Sequence, residues 1–203
     1  MTMTNPYASL DDVKAAARIV DTFDDALLET AIESSSRDID AYCERVFFST
    51  NATRVYVPED IFVVNTDDII SVTTLKTDTA GDGTFNQTFA TGDFQLEPLN
   101  GLAGGVETPA TRIRAVGQFL FPVYLGRDVK ANKASVQVVG EFGFGSIPIA
   151  IKQATILAAL RAYKRYESPT GVLGFSDMGV VRVGRMDPDV TRLIDPYRKL
   201  RMA

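Results

Sequence analysis

The chain of 203 residues has no histidine, no tryptophan and a single cysteine, Cys43. Without histidine, Ser-His-Asp and Cys-His catalytic arrangements are excluded, and the commonest general base and metal ligand is missing. One cysteine cannot form an internal disulfide, which suits a reducing cytoplasm. Because Cys43 lies within a predicted helix beside apolar residues, we interpret it as an inert packed thiol.

Long hydrophobic runs are also missing. No stretch approaches the roughly 18 consecutive apolar residues that a membrane helix needs. The opening residues, "MTMTNPYASLDD", lack the basic region and apolar core of a signal peptide. Hydrophobic residues make up 45% of the chain and charged residues 23%, values ordinary for a folded protein. These features predict a soluble, intracellular, globular protein without a membrane partner.

Positive charge is scarce in most of the chain and concentrated near its end. The net charge is −5, which argues against binding nucleic acid over the whole surface. Residues 1–151 hold 11 Lys/Arg and 21 Asp/Glu, whereas residues 152–203 hold 10 and 5. An acidic body with a basic end is typical of a chain whose end contacts an acidic partner, although solvation of a helix face is the simpler explanation.

Helix signals lie at both ends of the sequence. "SLDD" at 9–12 is a capping box that begins a short helix ending near Ile19. "TFDD" at 22–25 begins a longer helix, with apolar residues at spacings of three and four as far as about Val46. Helix returns after Pro148 and ends at the "SP" of 168–169. A last short helix begins with Asp187 as N-cap and Pro188 at the first position.

Between these helices the sequence alternates in the manner of short strands. Seven segments rich in β-branched and aromatic residues are separated by turn residues; they are 52–57, 61–64, 69–76, 84–90, 94–97, 111–116 and 134–142. The fold class we predict is α+β. A small helical core, with the long N-terminal helix packed on the C-terminal helix, carries an inserted antiparallel barrel-like or sandwich-like β domain. The boundaries are 1–50 for the N-terminal helices, 51–146 for the β domain and 147–203 for the C-terminal helix, arm and last helix.

Motifs that could carry chemistry have simpler structural explanations. Four acidic pairs lie at helix starts or turns, although paired carboxylates could serve a glycosidase; they are Asp11–Asp12, Asp24–Asp25, Glu59–Asp60 and Asp67–Asp68. "DTAGDGTF" at 78–85 begins like a calcium loop but has Ala80 and Phe89 where ligands belong, so a hairpin turn is favoured. No phosphate-binding motif is present. We predict no catalytic residue, no metal ligand and no cofactor.

Four segments, taken in order, resemble one protein family: "YASLDDVKAAARIVDTFDDALLETAIESSSRDIDAYCERVF", "TLKTDTAGDGTF" followed by "GDFQLEPLN", "VVGEFGFGSIPIAIKQA" and "KRYESPTGVLGFSDMGVVRVGRMDPDVTRLIDPYR". Together the chain is similar to the head-to-tail adaptor, or head completion, proteins of long-tailed bacteriophages. The resemblance covers nearly the whole chain and rests on the order of the segments. Residues 98–110 and 122–133 match least and are interpreted as variable loops.

This resemblance implies a structural protein of the virion neck, assembled in the host cytoplasm. Such adaptors form a ring, usually of twelve copies, beneath the portal protein. They extend the DNA channel and present a surface to a head-closure or tail protein. DNA would pass without specific binding, and an acidic channel wall would favour sliding because neutralising contacts are what hold DNA.

Given the resemblance, residues 161–185 become the predicted protein-interaction site. An extended segment after a helix can reach another chain and add a strand through main-chain hydrogen bonds. Its glycines would permit turns, its apolar residues would fill pockets, and its basic residues would pair with acidic groups on the portal or on a neighbouring copy. The predicted residues are Arg161, Lys164, Arg165, Gly171, Val172, Leu173, Gly174, Phe175, Gly179, Arg182 and Arg185.

Two alternatives stay open at this stage. The first is another neck component, such as a head-closure or tail-completion protein. The second, more distant, is a carboxylate-based hydrolase whose β domain holds a glycan, which requires two acidic residues converging in a deep cleft.

Overall fold

The computed structural model describes residues 3–103, 106–124, 133–167 and 187–199. Contacts between residues divide the chain into two units. The helical unit comprises Met1–Phe47 and Ile147–Ala203, and the β unit comprises Phe48–Ser146. The helices of the described part are too short or too polar to cross a membrane.

The helical unit begins with α1, Leu10–Ala17. The predicted capping box is confirmed, because the Ser9 hydroxyl accepts from the Asp12 N–H and the Asp12 carboxylate accepts from the Ser9 N–H, both at 3.1 Å. Arg18 adopts the left-handed conformation and ends the helix. Ahead of α1, buried Tyr7 donates a hydrogen bond to Asp40 and accepts one from the Phe47 N–H at 2.9 Å. The N-terminal segment is therefore held against the C-terminal end of the second, longer helix.

The long helix α2, Asp25–Cys43, is shorter than predicted at its C-terminal end. Its N-cap is Asp24, within the predicted start signal "TFDD", and the Asp24 side chain makes no capping bond. The helix ends three residues before the predicted Val46 because Glu44 adopts the left-handed conformation. The Cys43 side chain is fully buried, and its thiol donates to the Ile194 carbonyl at 3.7 Å.

Two further helices complete this unit, α3 over Ile149–Glu167 and α4 over Pro188–Ile194. Both predicted starts are confirmed: α3 follows Pro148, and the Asp187 carboxylate caps the Asp189 N–H at 2.9 Å. A short 3-10 turn, Asp195–Tyr197, follows α4. The core between the first three helices contains many small side chains; its buried members are Ala8, Val13, Leu28, Ala31, Ile32, Ala159 and Tyr163.

The β unit contains eight strands in the described residues. In chain order β1–β8 are Thr50–Tyr56, Val63–Thr77, Gln87–Phe89, Phe94–Glu97, Leu102–Ala103, Val106–Glu107, Ala110–Ala115 and Val136–Phe142. Six strands form an antiparallel sheet in the order β1-β8-β2-β7-β4, with β3 also paired to β2, and β5 pairs with β6.

Strand β2 pairs with three other strands of the sheet, and it is longer than the sequence predicted. The segments 61–64 and 69–76 were expected as separate strands joined by a turn at "NTDD". They form one 15-residue strand because the pairing passes through register shifts between Asn65 and Ile69 and between Ile69 and Ser71. Such bulges bend a strand without ending it. The core of large side chains comprises Val64, Ile69, Leu75, Phe89, Ile113, Ala115, Phe121, Val136, Val138 and Phe142.

The predicted barrel is not what the described residues form. Strands β1 and β4 end the sheet, and in the described ranges they do not pair with each other. Closure of a barrel needs paired edges and a consistent stagger of all strands. The β unit is therefore an open, bent antiparallel sheet within a mixed α and β chain.

Candidate interaction surface

The basic end of α3 carries the described part of the predicted interaction site. Arg161, Lys164 and Arg165 are spaced to share one helix face, and all three are exposed. Arg161 forms an ion pair with Asp187, the N-cap of α4, so its charge joins two helices. Lys164 and Arg165 form no ion pair with a described residue, so their charges face solvent at the end of the helix.

A groove lies beside this basic face, between α2, α3 and α4. Its volume is about 380 Å³. Small side chains, including Ser34, Ser35, Ala158 and Ala162, form much of its wall, and Arg161 and Arg165 lie along one side. Short side chains on facing helices leave this depression, so the structure places two of the predicted basic residues next to a concave surface.

The rest of the predicted site lies outside the described residues. These positions are Gly171, Val172, Leu173, Gly174, Phe175, Gly179, Arg182 and Arg185. They remain predictions from the sequence.

The loop between α1 and α2 presents two apolar side chains that the sequence analysis did not single out. Val20 is 95% exposed and Phe23 is 92% exposed. The loop is held in place, because the Lys14 ammonium donates to the Asp21 carbonyl at 2.5 Å and to the Asp25 carboxylate at 2.6 Å. An exposed phenylalanine on a fixed loop is a candidate contact for another molecule. The two acidic residues after Phe23, Asp24 and Asp25, were interpreted only as a helix start, so Phe23 was not predicted as a contact.

A second unpredicted surface lies on the β unit. We define the β-unit patch as Ile61, Phe62, Val116 and Leu120, each between 43% and 51% exposed. Two backbone hydrogen bonds join its halves, from the Phe121 N–H to the Ile61 carbonyl at 2.9 Å and from the Ala115 N–H to the Phe62 carbonyl at 2.8 Å. Residues 61–64 were predicted only as a strand, and three successive apolar residues at 119–121 do not show which of them is exposed: Phe119 is partly buried, Phe121 is buried and Leu120 is exposed.

The acidic pairs occupy structural positions. Asp24 accepts from the Tyr163 hydroxyl at 2.7 Å, and Asp60 accepts from the N–H groups of Phe62 and Val63 at 2.6 and 2.8 Å. Asp67 forms an ion pair with Arg54 at 2.6 Å. The carboxylates of the other pairs are similar: Asp12 caps α1, Asp25 holds Lys14, and Glu59 accepts from Asn65.

The loop that resembles a calcium site is organised around a buried carboxylate. Asp78 is fully buried and accepts backbone N–H bonds from Ala80, Gly81, Asp82 and Gly83 at 2.7–3.3 Å. Burial opposes the charge, but the N–H groups of Gly83, Gly81 and Asp82, together with the charge of Lys133, outweigh it and lower the pKa of Asp78. Since its oxygens are already used by the backbone, Asp78 acts as the centre of a turn.

The buried thiol agrees with its interpretation as an inert group. Burial raises the pKa of Cys43 to about 12, and a thiol without thiolate character is a poor nucleophile. Within the ranges that the structure describes, no three Cys, Asp or Glu side chains are placed to hold a metal ion. The exposed apolar surfaces found here are candidate docking positions, a feature typical of proteins that act in assemblies.

Comparison with protein families supports this class. Residues 7–91 match the family of phage gp6-like head-tail connector proteins. The match confirms the resemblance read from the sequence. No curated protein sequence matches the chain.

Solved structures share the fold over the whole chain. The chain is similar to a subunit in the neck of an empty gene transfer agent particle, computed with C6 symmetry, at a TM-score of 0.56 and 18% identity. The corresponding values are 0.55 and 16% for the neck of the native particle with C12 symmetry, and 0.57 and 18% for the native virion. Each match covers 100% of this chain and 95% of the other. At these identities the matches establish the fold.

Proposed function

We propose that the chain is a structural head-tail connector of a phage-like particle. Copies of it form a ring in the neck, beneath the portal, and the ring continues the DNA channel toward the next neck or tail protein. The protein has no enzymatic role and resides in the virion after assembly in the host cytoplasm. The observation that carries this proposal is the connector family match over residues 7–91, within a fold shared along its full length with neck subunits.

The two units suit different parts of this task. We propose that the helical unit is the packed core of the ring subunit and that the β unit is a domain inserted into it, since residues 48–146 interrupt the helical unit in the chain. Heterologous contacts, in which two different surfaces of one chain meet, close into a ring when the rotation between copies is suitable. Exposed Val20 and Phe23 are candidates for such contacts.

The basic residues of 161–185 serve docking in this proposal. Lys164 and Arg165, together with Arg182 and Arg185, pair with acidic groups on the portal or on a neighbouring copy. Arg161 stabilises the start of α4 through Asp187. The wall of the channel is acidic, so that the DNA phosphates are repelled and the genome slides.

The test is to measure the mass of the purified chain alone and mixed with the portal protein of the same particle, by size-exclusion chromatography with light scattering. We expect a portal-bound ring of many copies. Replacing Arg182 and Arg185 by glutamate should abolish portal binding while α-helix content stays unchanged, and Arg192→Glu, an exposed change on α4, is the matched control. Normal portal binding by the double variant rejects the docking role of the segment. Failure of the unaltered chain to bind portal favours a head-closure or tail-completion protein instead.

A further inference from the structure

The β-unit patch is rigid before any partner arrives. Asp60 caps the N–H groups of Phe62 and Val63, and the N–H groups of Glu59 and Asp60 both donate to the Val63 carbonyl, at 2.9 and 3.3 Å. This tight turn holds Ile61 and Phe62 at the surface. A preorganised apolar surface loses little conformational entropy on binding, so it binds more tightly than a mobile one.

The other half of the patch is fixed by the core beneath it. Phe119 and Phe121 lie 5.6 and 5.4 Å from the Phe89 ring, measured between ring centroids. Because side chains alternate along an extended chain, Leu120 between them faces away from the core. The N–H of Val116 is held by the Asp93 carbonyl at 2.9 Å. Apolar exposure here is imposed by the fold and is not a consequence of a loose loop.

The rim of this patch is acidic. Glu59 and Asp60 lie beside Ile61 in the chain, and Asp93 lies at Val116. The nearby arginines balance only part of this negative charge, since Arg112 and Arg114 both pair with Glu97, at 3.3 and 2.6 Å, and Arg114 also interacts with Asp60. The surface therefore fits a partner with an apolar or aromatic group flanked by positive charge.

The end of α3 has this composition. Lys164 and Arg165 are exposed without an ion pair to a described residue, and Tyr166 beside them is 60% exposed. Tyrosine and arginine are the side chains most often found at the energetic centres of protein interfaces. The β-unit patch is apolar with an acidic rim, and the end of α3 is basic with an exposed aromatic side chain. The two are therefore complementary surfaces of the same chain.

We propose that the β-unit patch of one copy binds the end of α3, at Lys164, Arg165 and Tyr166, of a second copy. Tyr166 lies against the four apolar side chains, and its neighbour Arg165 reaches Glu59 and Asp60. Lys164, two residues before Tyr166, points to the other side of the helix and only adds to the positive charge near the contact. This inference rests on the proposed function, because it assigns one of the contacts by which ring subunits meet. It also decides between the two partners left open for Lys164 and Arg165, and chooses the neighbouring copy over the portal.

The test is cross-linking between two single-substitution variants. One carries Gln118→Cys, an exposed position between Val116 and Leu120 that leaves the patch intact, and the other carries Lys164→Cys. The native Cys43 is buried and does not react. The variants are mixed and treated with a short bis-maleimide, both in the portal-bound assembly and at high concentration without portal. We expect the 118–164 product to exceed by at least about fivefold the product of Gln118→Cys with the control Ala16→Cys, an exposed position on α1.

Four further variants test which side chains make the contact. Phe62→Ser should reduce the 118–164 product several-fold, whereas Leu102→Ser, at a position that is 72% exposed outside the patch, should not. Glu59→Lys and Arg165→Glu should each reduce it, and mixing copies that carry both changes should restore it.

Each outcome bears on a different proposal. If a ring forms and the yields of the 118–164 and control cross-links are equal, the proposed contact is wrong, whereas the connector function is not affected. If the chain binds no portal and forms no ring, the proposed function fails, and absence of the 118–164 product at high concentration then overturns the contact as well. Reduced linking without rescue by the charge exchange also contradicts the assigned pairing.

Discussion

The two units are stabilised by different kinds of core. In the helical unit, the small side chains of Ala8, Ala31 and Ala159 pack among larger ones, and polar bonds join the elements. Examples are Lys152 to Asp12 at 2.8 Å and Tyr42 to Asp195 at 2.5 Å. In the β unit, phenylalanine, isoleucine, leucine and valine fill one continuous core. Both units also bury large apolar side chains, such as Leu28 and Ile151 in the helical unit and Leu75 and Phe121 in the β unit. Because buried apolar area contributes more free energy than partly exposed polar pairs, truncating a core side chain should cost more than breaking one of these polar ties.

The largest effect is expected from Phe121→Ala. Phe121 is 1% exposed and stacks on Phe89, so loss of its ring should destabilise the β unit by about 3–5 kcal/mol. Leu120→Ala, one residue away on the surface, should cost less than about 0.5 kcal/mol. Hydrogen exchange during urea titration would locate the loss. If α2 and α3 lose as much protection as the strands of the β unit, the destabilisation is not confined to the β unit and the prediction is wrong.

A smaller but still large effect is expected from Asp78→Ala, which tests whether polar groups can match the apolar core. The change leaves four loop N–H groups without their acceptor, and we expect a cost of about 3 kcal/mol. Asp82→Ala, which removes a single exposed bond to the Thr84 N–H, is the control. Thermal unfolding measures both, and similar costs for the two variants would show that the buried carboxylate is not the centre of the loop.

The smallest effect is expected at the ion pair between Lys152 and Asp12 in the helical unit, and it depends on pH. Hydrogen bonds from Lys152 and Ser9 lower the pKa of Asp12 to about 2. Its unfolded pKa is about 3.9, so the stabilisation is complete above about pH 4 and is lost as the pH falls toward 2. Because both side chains are partly exposed, Lys152→Met should remove no more than about 1 kcal/mol. The free energy of unfolding, measured with urea at pH 7 and at pH 3, should differ less between the two pH values for Lys152→Met than for the control Arg192→Met. An identical difference in the two variants would show that the ion pair does not stabilise the protein.

Helix starts were the most predictable features of the molecule. Ser9 with Asp12 and Asp187 with Pro188 are local signals, because a cap bonds to backbone two or three residues away. The helix predicted to begin at "TFDD" starts at Asp25, with Asp24 as its N-cap. The end of α2 was missed because a left-handed glutamate, Glu44, has no distinctive sequence signal.

Sheet structure was less predictable. "NTDD" has the composition of a turn, yet β2 continues through it, because β7 and β8 pair on either side and absorb the extra residues as bulges. Gly140 shows the same dependence: a Cβ there would lie 2.2 Å from the Ser71 carbonyl oxygen, a clash created by a strand that is distant in sequence.

The candidate site divides in a similar way. The basic residues at the end of α3 were predicted from the charge distribution together with the family resemblance, both of which can be read from the sequence. The β-unit patch was not found, because exposure of Ile61 or Phe62 depends on which segments cover them. The remaining predicted residues, from Gly171 to Arg185, stay a prediction.

By itself the sequence determined the helix starts, the mixed α and β class, the lack of histidine chemistry and the resemblance to head-tail adaptors. Only the tertiary structure decided that the sheet is open, that Asp78 faces its own loop and that four apolar side chains remain at the surface. Helix caps and charge are set by neighbours in the chain, whereas strand pairing and burial are set by residues far apart in it.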